Sequence, residues 1–256
     1  MARHQTRTFE DVAQVRVGIK TTADEVFLRE EWNSLPAECQ PEPELIRPLI
    51  RHFDARRWVG PAVCRQSVLY PHAMVSGKRT AVDLSGYPRA RAYFERHYER
   101  LNRRSYVIDG GRKWYEIWVP HLPDDWQRPK IVFPDISEQP RFFLDATGAV
   151  VNGDCYWMTL REGLPSDWLL LMLAVANSTF MTRFYDLAFH NKLYAGRRRY
   201  MTQYVSKLPL PPFDAPAVRK ILPLAARLVN GEHEDARLEA ETDRLVWESF
   251  GLVKET

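Results

Sequence analysis

Apolar and polar positions alternate near the start of the chain. In "FEDVAQVRVGIKTTADEVFL" (Phe9–Leu28), Val15, Val17 and Ile19 share one face and Val26 and Leu28 follow, which predicts two short strands joined through the "KTTAD" turn. "LIRPLIRHFDARRWV" (Leu45–Val59) mixes a proline with arginine clusters and predicts a loop-rich crossing segment, while "SVLYPHAM" (Ser67–Met74) predicts one buried strand. From Pro88 to Asn102 the spacing changes: Ala90, Phe94, Tyr98 and Leu101 recur at helical intervals with arginines on the other face. "PKIVFPDIS" (Pro129–Ser137), "RFFLDATGAVVN" (Arg141–Asn152) and "CYWMTL" (Cys155–Leu160) predict strands, with a hairpin or small sheet about the Ala146–Thr147–Gly148 turn. One long helix is predicted over Ser166–His190, with Ser166 as its cap and Asp167 at its positive end. "LPLPPF" (Leu208–Phe213) then stops regular structure. Two helices close the chain, the first stopped by Gly231 and the second carrying Leu238, Leu245 and Leu252 as a seven-residue seam.

These elements predict an α+β fold: a small, twisted, mainly antiparallel sheet with an inserted basic helix, followed by a helical C-terminal part. The proline-rich stop suggests a division into residues 1–212 and 213–256, the second packing on the first or on a partner.

Composition sharpens this only where it is uneven. The chain has 256 residues, 45% of them hydrophobic, and a net charge of only +3, which by itself predicts no polyanionic partner. Between Gly86 and Tyr115, however, eight Arg and Lys face only Glu95, Glu99 and Asp109, and segregated charge makes a local field. Cys39, Cys64 and Cys155 are odd in number and widely spaced, fitting reduced thiols rather than a disulfide framework or a zinc site. No apolar leader opens the chain, and "WLLLMLAVA" (Trp168–Ala176) is far shorter than the ~20 residues that span a bilayer. The expectation is a soluble, cytoplasmic protein.

Catalytic motifs are missing from the pattern. "SGKRT" (Ser76–Thr80) ends like a phosphate-binding loop but lacks its first glycine, His72 standing in that place. "PDIS" is followed by no (D/E)xK, and "LPPF" (Leu210–Phe213) has a leucine where an amino-methyltransferase loop needs an oxygen to accept the base amine. As a chain it is expected to be no enzyme and to hold no metal. What it does carry is basic and aromatic surface: Arg56–Arg57–Trp58, Arg112–Lys113–Trp114–Tyr115 and Arg197–Arg198–Arg199–Tyr200. Arginine and lysine neutralise phosphates, arginine reads guanine, and aromatic rings stack on bases. Taken singly, each cluster reads more simply as a solvated face over the core.

"VRVGIKTTADEVFL", "LIRPLIRHFDARRW", "PKIVFPDIS", "FFLDATGAVVNGDCYWM", "GRRRYMTQYVSKLPLP" and "TDRLVWESFGL" come in an order that resembles the C-terminal target-recognition domain of TaqI-like adenine-N6 DNA methyltransferases and fused restriction–modification enzymes. It is also similar to type I specificity-subunit domains. The resemblance implies sequence-specific recognition of double-stranded DNA. It places S-adenosylmethionine and methyl transfer on a methyltransferase domain or partner, in some members with a nuclease. It suggests Lys20 near phosphate, Lys130 and Asp135 shaping their strand, and Lys130, Arg197, Arg198, Arg199, Tyr200, Tyr204 and Lys207 in contact with DNA. Arg56, Arg57, Lys113 and Tyr115 join these from the other basic–aromatic clusters. A rival is a protein-interaction adaptor in a phage-defence complex, docking through the leucine seam. An excised domain and a stand-alone specificity subunit are equally compatible with the sequence.

Overall fold

The computed structural model describes residues 7–254. Its centre is a five-stranded sheet in the order Ala13–Val17, Cys155–Leu160, Lys130–Pro134, Phe143–Asp145, Trp58–Val59, antiparallel except at the last pair. Every residue of Lys130–Pro134 is buried, because both faces of this sheet are covered. Side chains alternate across a strand, so Ile131, Phe133 and Met158 enter one core, while Val132, Cys155 and Trp157 enter another.

The first core is closed by helices Asp167–Asn177, Thr179–Phe189, Pro216–Arg227 and Ala236–Ser249. The helices beyond residue 212 thus share a core with the strands. The second core lies under a four-stranded sheet, ordered Val150–Val151, Ile46–Ile50, Gln66–Leu69, Leu28–Arg29, together with helices Pro88–Arg96 and Tyr98–Asn102. The hairpin His72–Val75/Lys78–Ala81 turns through Ser76 and Gly77, both at positive φ. The α+β class is as the sequence predicts.

Several local expectations are corrected. Val26 lies in a helical turn, Asp24–Phe27, with Leu28 beginning the strand. Thr21 Oγ accepts the Ala23 N–H at its start. Ile46–Ile50 is an inner strand despite Pro48. The Tyr70 N–H donates to Leu45 O, so Pro48 falls at a position whose N–H points away from Gln66–Leu69. On that other side pairing begins only at Leu49, so the N–H that proline lacks has no ladder to serve. The "SVLYPHAM" run breaks at Tyr70–Pro71 into strands of different sheets. Phe143–Asp145 and Val150–Val151 likewise enter different sheets rather than forming a hairpin. Leu252 lies past the last helix, and Leu238 and Leu245 face this chain's own core. Of the three seam residues only Leu252, 48% exposed, stays at the surface.

The expected long helix is two helices. Ser178 is extended (φ −76°, ψ 156°) and caps the second by accepting the Met181 N–H at 3.0 Å; Ser166 makes no side-chain cap bond. Beside the break, buried Asn177 accepts the Phe142 N–H (3.1 Å) and donates to Phe142 O (2.9 Å). Asn177→Leu would leave the Phe142 N–H unpaired in the core, while Phe142 O keeps the Trp58 N–H. It is expected to lower stability by about 2–3 kcal/mol, read as a shift of the urea midpoint; an unchanged midpoint would mean that water replaces the amide.

Candidate nucleic-acid interface

Three strands of the central sheet meet at one end, because Val17 pairs with Tyr156 and Pro134 with Cys155. The segments leaving that end carry polar side chains outward. An added Cβ on Gly18 would stand 2.0 Å from the Asn152 carbonyl oxygen, so only glycine lets these two backbones cross. Exposed Lys20 follows, its backbone bridging Val119.

The Asn152 N–H donates to Ile50 O at 2.9 Å, which brings Arg51, His52 and Phe53 beside Asp154. Asp154 Oδ2 lies 3.0 Å from Arg51 Nε and 2.8 Å from His52 Nδ1. Arg51 also donates to Gln66, and the guanidinium groups of Arg51 and Arg65 stand 5.5 and 5.7 Å from the Phe53 ring. The Asp135 N–H donates to Asp154 O, and the Asp135 carboxylate holds Arg199 Nε at 3.2 Å. Hydrogen bonds and ion pairs therefore link Arg51, His52, Asp154, Asp135 and Arg199 into one ridge, which Arg65 joins through the shared Phe53 ring, with Lys20 next to it. The Glu30 carboxylate holds Arg65. Even so, Lys20, Arg51, Arg65, Arg197 and Arg199 outnumber Glu30, Asp135, Glu138 and Asp154 by one, leaving the ridge slightly positive.

The arginine run is resolved by strand geometry. Arg198–Arg199 is a short strand paired antiparallel with Ile136–Ser137, so successive side chains point oppositely. Arg198 turns inward, 8% exposed, with Nε and Nη2 on the two Asp186 oxygens at 2.6 and 2.7 Å and Nη1 on Glu138 O. This fork holds the Asp186 carboxyl below the usual range. Arg197 and Arg199 turn outward. Gly196 (φ +71°) supplies a left-handed turn before them.

The other candidates separate into surface and interior. Lys207 is exposed. Tyr204 is half-buried among Tyr185 and Phe189. Exposed Arg56 donates to Phe53 O and Ala55 O, and Arg57 is held by Glu239 and Asn177 O along a cleft that also holds Arg198. Lys113 is exposed 5.7 Å from the Tyr115 ring, in a separate cleft with Asp83 and Arg91. Tyr115 and Tyr200 are buried and Lys130 is wholly inaccessible, so none of the three reaches a ligand at the surface. Lys130 Nζ lies 2.5 Å from Asp145 Oδ2 and 2.8 Å from Trp126 O; burial lowers its pKa against the opposing pull of Asp145. The predicted basic helix is neutralised as well, since Arg89, Arg91, Arg96, Arg100 and Arg103 all pair with glutamates. Arg51, His52, Arg65 and Asp154 escape a reading of the sequence, because Arg51–His52, Arg65 and Asp154 stand on three separate segments that only the fold brings together.

Residues 78–210, just over half of the chain, match the TaqI-like C-terminal specificity domain. The chain is 42% identical over 251 residues to the type II methyltransferase M.BanIII of Aneurinibacillus aneurinilyticus, covering 96% of this chain and 43% of that protein. It is 26% identical to M.PaeR7I of Pseudomonas aeruginosa, over 77% of this chain and 32% of the relative. The chain thus spans less than half the length of these relatives. In fold it is similar to the type IIL restriction–modification enzyme MmeI, solved in complex with DNA, with a TM-score of 0.67 and 12% identity over 98% of this chain and 34% of that one. Among the described residues no helix is long and apolar enough to cross a membrane. On the matched segment, the chain belongs to the TaqI-like C-terminal specificity domain family.

Proposed function

We propose that this chain recognises double-stranded DNA for a restriction–modification system through the ridge at the end of the central sheet. The observation that carries this reading is the split of the arginine run. Arg198 is committed to anchoring the segment on Asp186 and Glu138, which leaves Arg197 and Arg199 held outward on a positive edge. Cations there would contact phosphates and set register, while polar groups held in place, such as His52 and Arg51, would face base edges in the major groove. Methyl transfer from S-adenosylmethionine, and the flipping of the adenine it requires, would belong to a methyltransferase domain or subunit working with this one in the cytoplasm.

The test is binding of the chain to a randomised duplex library across a salt series. Enrichment of one short motif with steep salt dependence is expected. Arg197→Ala with Arg199→Ala should lower the slope of log affinity against log salt by about 1.8, since each phosphate no longer neutralised accounts for about 0.9. Arg198→Ala should instead lower stability first. A double variant with unchanged affinity and slope would remove this ridge from the DNA interface.

A further inference from the structure

The loop leading into Arg198 carries a side chain that no feature of the fold itself requires. Tyr194 is 80% exposed, the most exposed aromatic residue among those described. Tyr98 and Tyr106, the next, each lie against a tryptophan, Trp114 and Trp118. Tyr194 has only the Arg197 guanidinium over its ring, at 4.9 Å. The loop nonetheless holds it firmly outward. The Leu193 N–H donates to Arg197 O at 2.7 Å, and Lys192 bridges Arg198. The turn between them takes Ala195 (φ +57°) as well as Gly196 into the left-handed region, a conformation alanine disfavours and that persists where surrounding contacts enforce it. Its base is tied down by Arg198 on Asp186 and Gly196 O, and by Tyr185 and Asn191, both donating to Arg199 O.

We infer that Tyr194 is a base-stacking group at the tip of the DNA-contacting ridge, with Arg197 as its phosphate partner; this rests on the DNA-recognition reading above. The surroundings favour a nucleic acid over a protein partner. Arg197 covers the ring, Lys192 and Arg199 lie on the same segment, and no acidic residue occurs from Asn191 to Lys207, although Asp135 pairs Arg199 from a neighbouring strand end. A ring presented with cations matches a base beside its phosphate, whereas a protein hot spot needs a broader apolar surround that excludes water.

The experiment measures affinity of the full chain for a short mixed-sequence duplex and for its separated strands across a salt series. Because the ring is exposed, its variants are expected to fold as the wild type does, and a thermal scan checks this. Tyr194→Ala should lose roughly tenfold in affinity for the separated strands, the lower part of the range for one base–aromatic stack, with the salt slope unchanged. Tyr194→Phe should keep most of the affinity, Tyr194→Leu should not, and Arg197→Ala should reduce the slope by about 0.9. Wild-type binding that Tyr194→Ala leaves intact would overturn this inference alone. Equal rescue by leucine and phenylalanine would replace stacking with simple apolar contact and overturn it too. No wild-type binding to either form of DNA would remove the recognition reading and the stacking role together, and a protein partner would then be the occupant to seek.

Discussion

Lys130→Met is expected to lower the unfolding free energy by about 3–5 kcal/mol, as for a buried ion pair robbed of one partner. Lys130 is wholly buried and Asp145 is 5% exposed, with 2.5 Å between Nζ and Oδ2. Removing the ammonium strands a buried carboxylate and also deprives Trp126 O of its 2.8 Å donor. The loss should therefore be repairable from the other side. Asp145→Asn removes the charge yet keeps Oδ1 as acceptor for the Thr147 N–H and hydroxyl. The Lys130→Met/Asp145→Asn double variant should recover most of the stability in urea titrations. The same variants separate the two roles that sequence allows this lysine. If the folded Lys130→Met protein binds duplex DNA with unchanged salt slope, the lysine is structural. A slope lowered by about 0.9 would return it to the interface.

Lys130 also illustrates which parts of the molecule were legible in sequence. Alternation identified "QVRVGI" as a strand because burial of one sheet face imposes a period of two, whereas "KIVFP" and "CYWMTL" read as strands from short β-branched and aromatic apolar runs. The same rule could not say which sheet each strand joins. Phe143–Asp145 and Val150–Val151 flank a good turn, but their partners, Lys130–Pro134 and Ile46–Ile50, lie elsewhere in the chain. Proline at 48 looked disqualifying because its tolerance depends on where a neighbouring strand ends. Ser178 looked like one more helical residue in an apolar run, since a break followed at once by a new cap leaves the periodicity almost intact.

The site was half legible for a related reason. A basic run announces charge, but its direction depends on pairing: Arg198 and Arg199 differ only in which side of a two-residue strand they occupy. Composition treats the two alike, and the carboxylates that decide between them, Asp186 and Asp135, are 12 and 64 residues away. The basic helix misled in the opposite sense, because Glu25, Glu38 and Glu42, which neutralise Arg100, Arg96 and Arg89, come from segments far upstream. Family resemblance depends on the ordered set of segments rather than on any one side chain, and it identified the domain where side-chain chemistry alone did not.

Acid should destabilise this fold through His72 more than through any other histidine. The ring is buried, and its Nε2 accepts the Ile117 N–H at 3.1 Å, so that nitrogen carries no proton. Nδ1 faces Glu116 at 3.9 Å, too far for a hydrogen bond. Burial, followed by the positive charges of Arg79, Arg112 and Arg47, depresses the pKa from 6.5 to about 3. Above pH 6.5 the ring is neutral in both folded and unfolded chains and contributes no pH dependence. Between 6.5 and 3 the unfolded chain binds a proton that the folded one refuses, so stability falls with pH, by about 1.4 kcal/mol per unit and up to about 5 kcal/mol in all. Carboxylates such as Asp186, whose pKa is lowered in the fold, add their own loss at the acid end. His72→Gln isolates the histidine, since the amide oxygen can still accept the Ile117 N–H while nothing on it titrates. Urea titrations of the two proteins from pH 7 to pH 4 should diverge below pH 6.5, the wild type falling more steeply by about 1.4 kcal/mol per unit. Parallel curves would mean that His72 takes up its proton in the folded state, with Ile117 turned away and Glu116 drawn in to meet the charge.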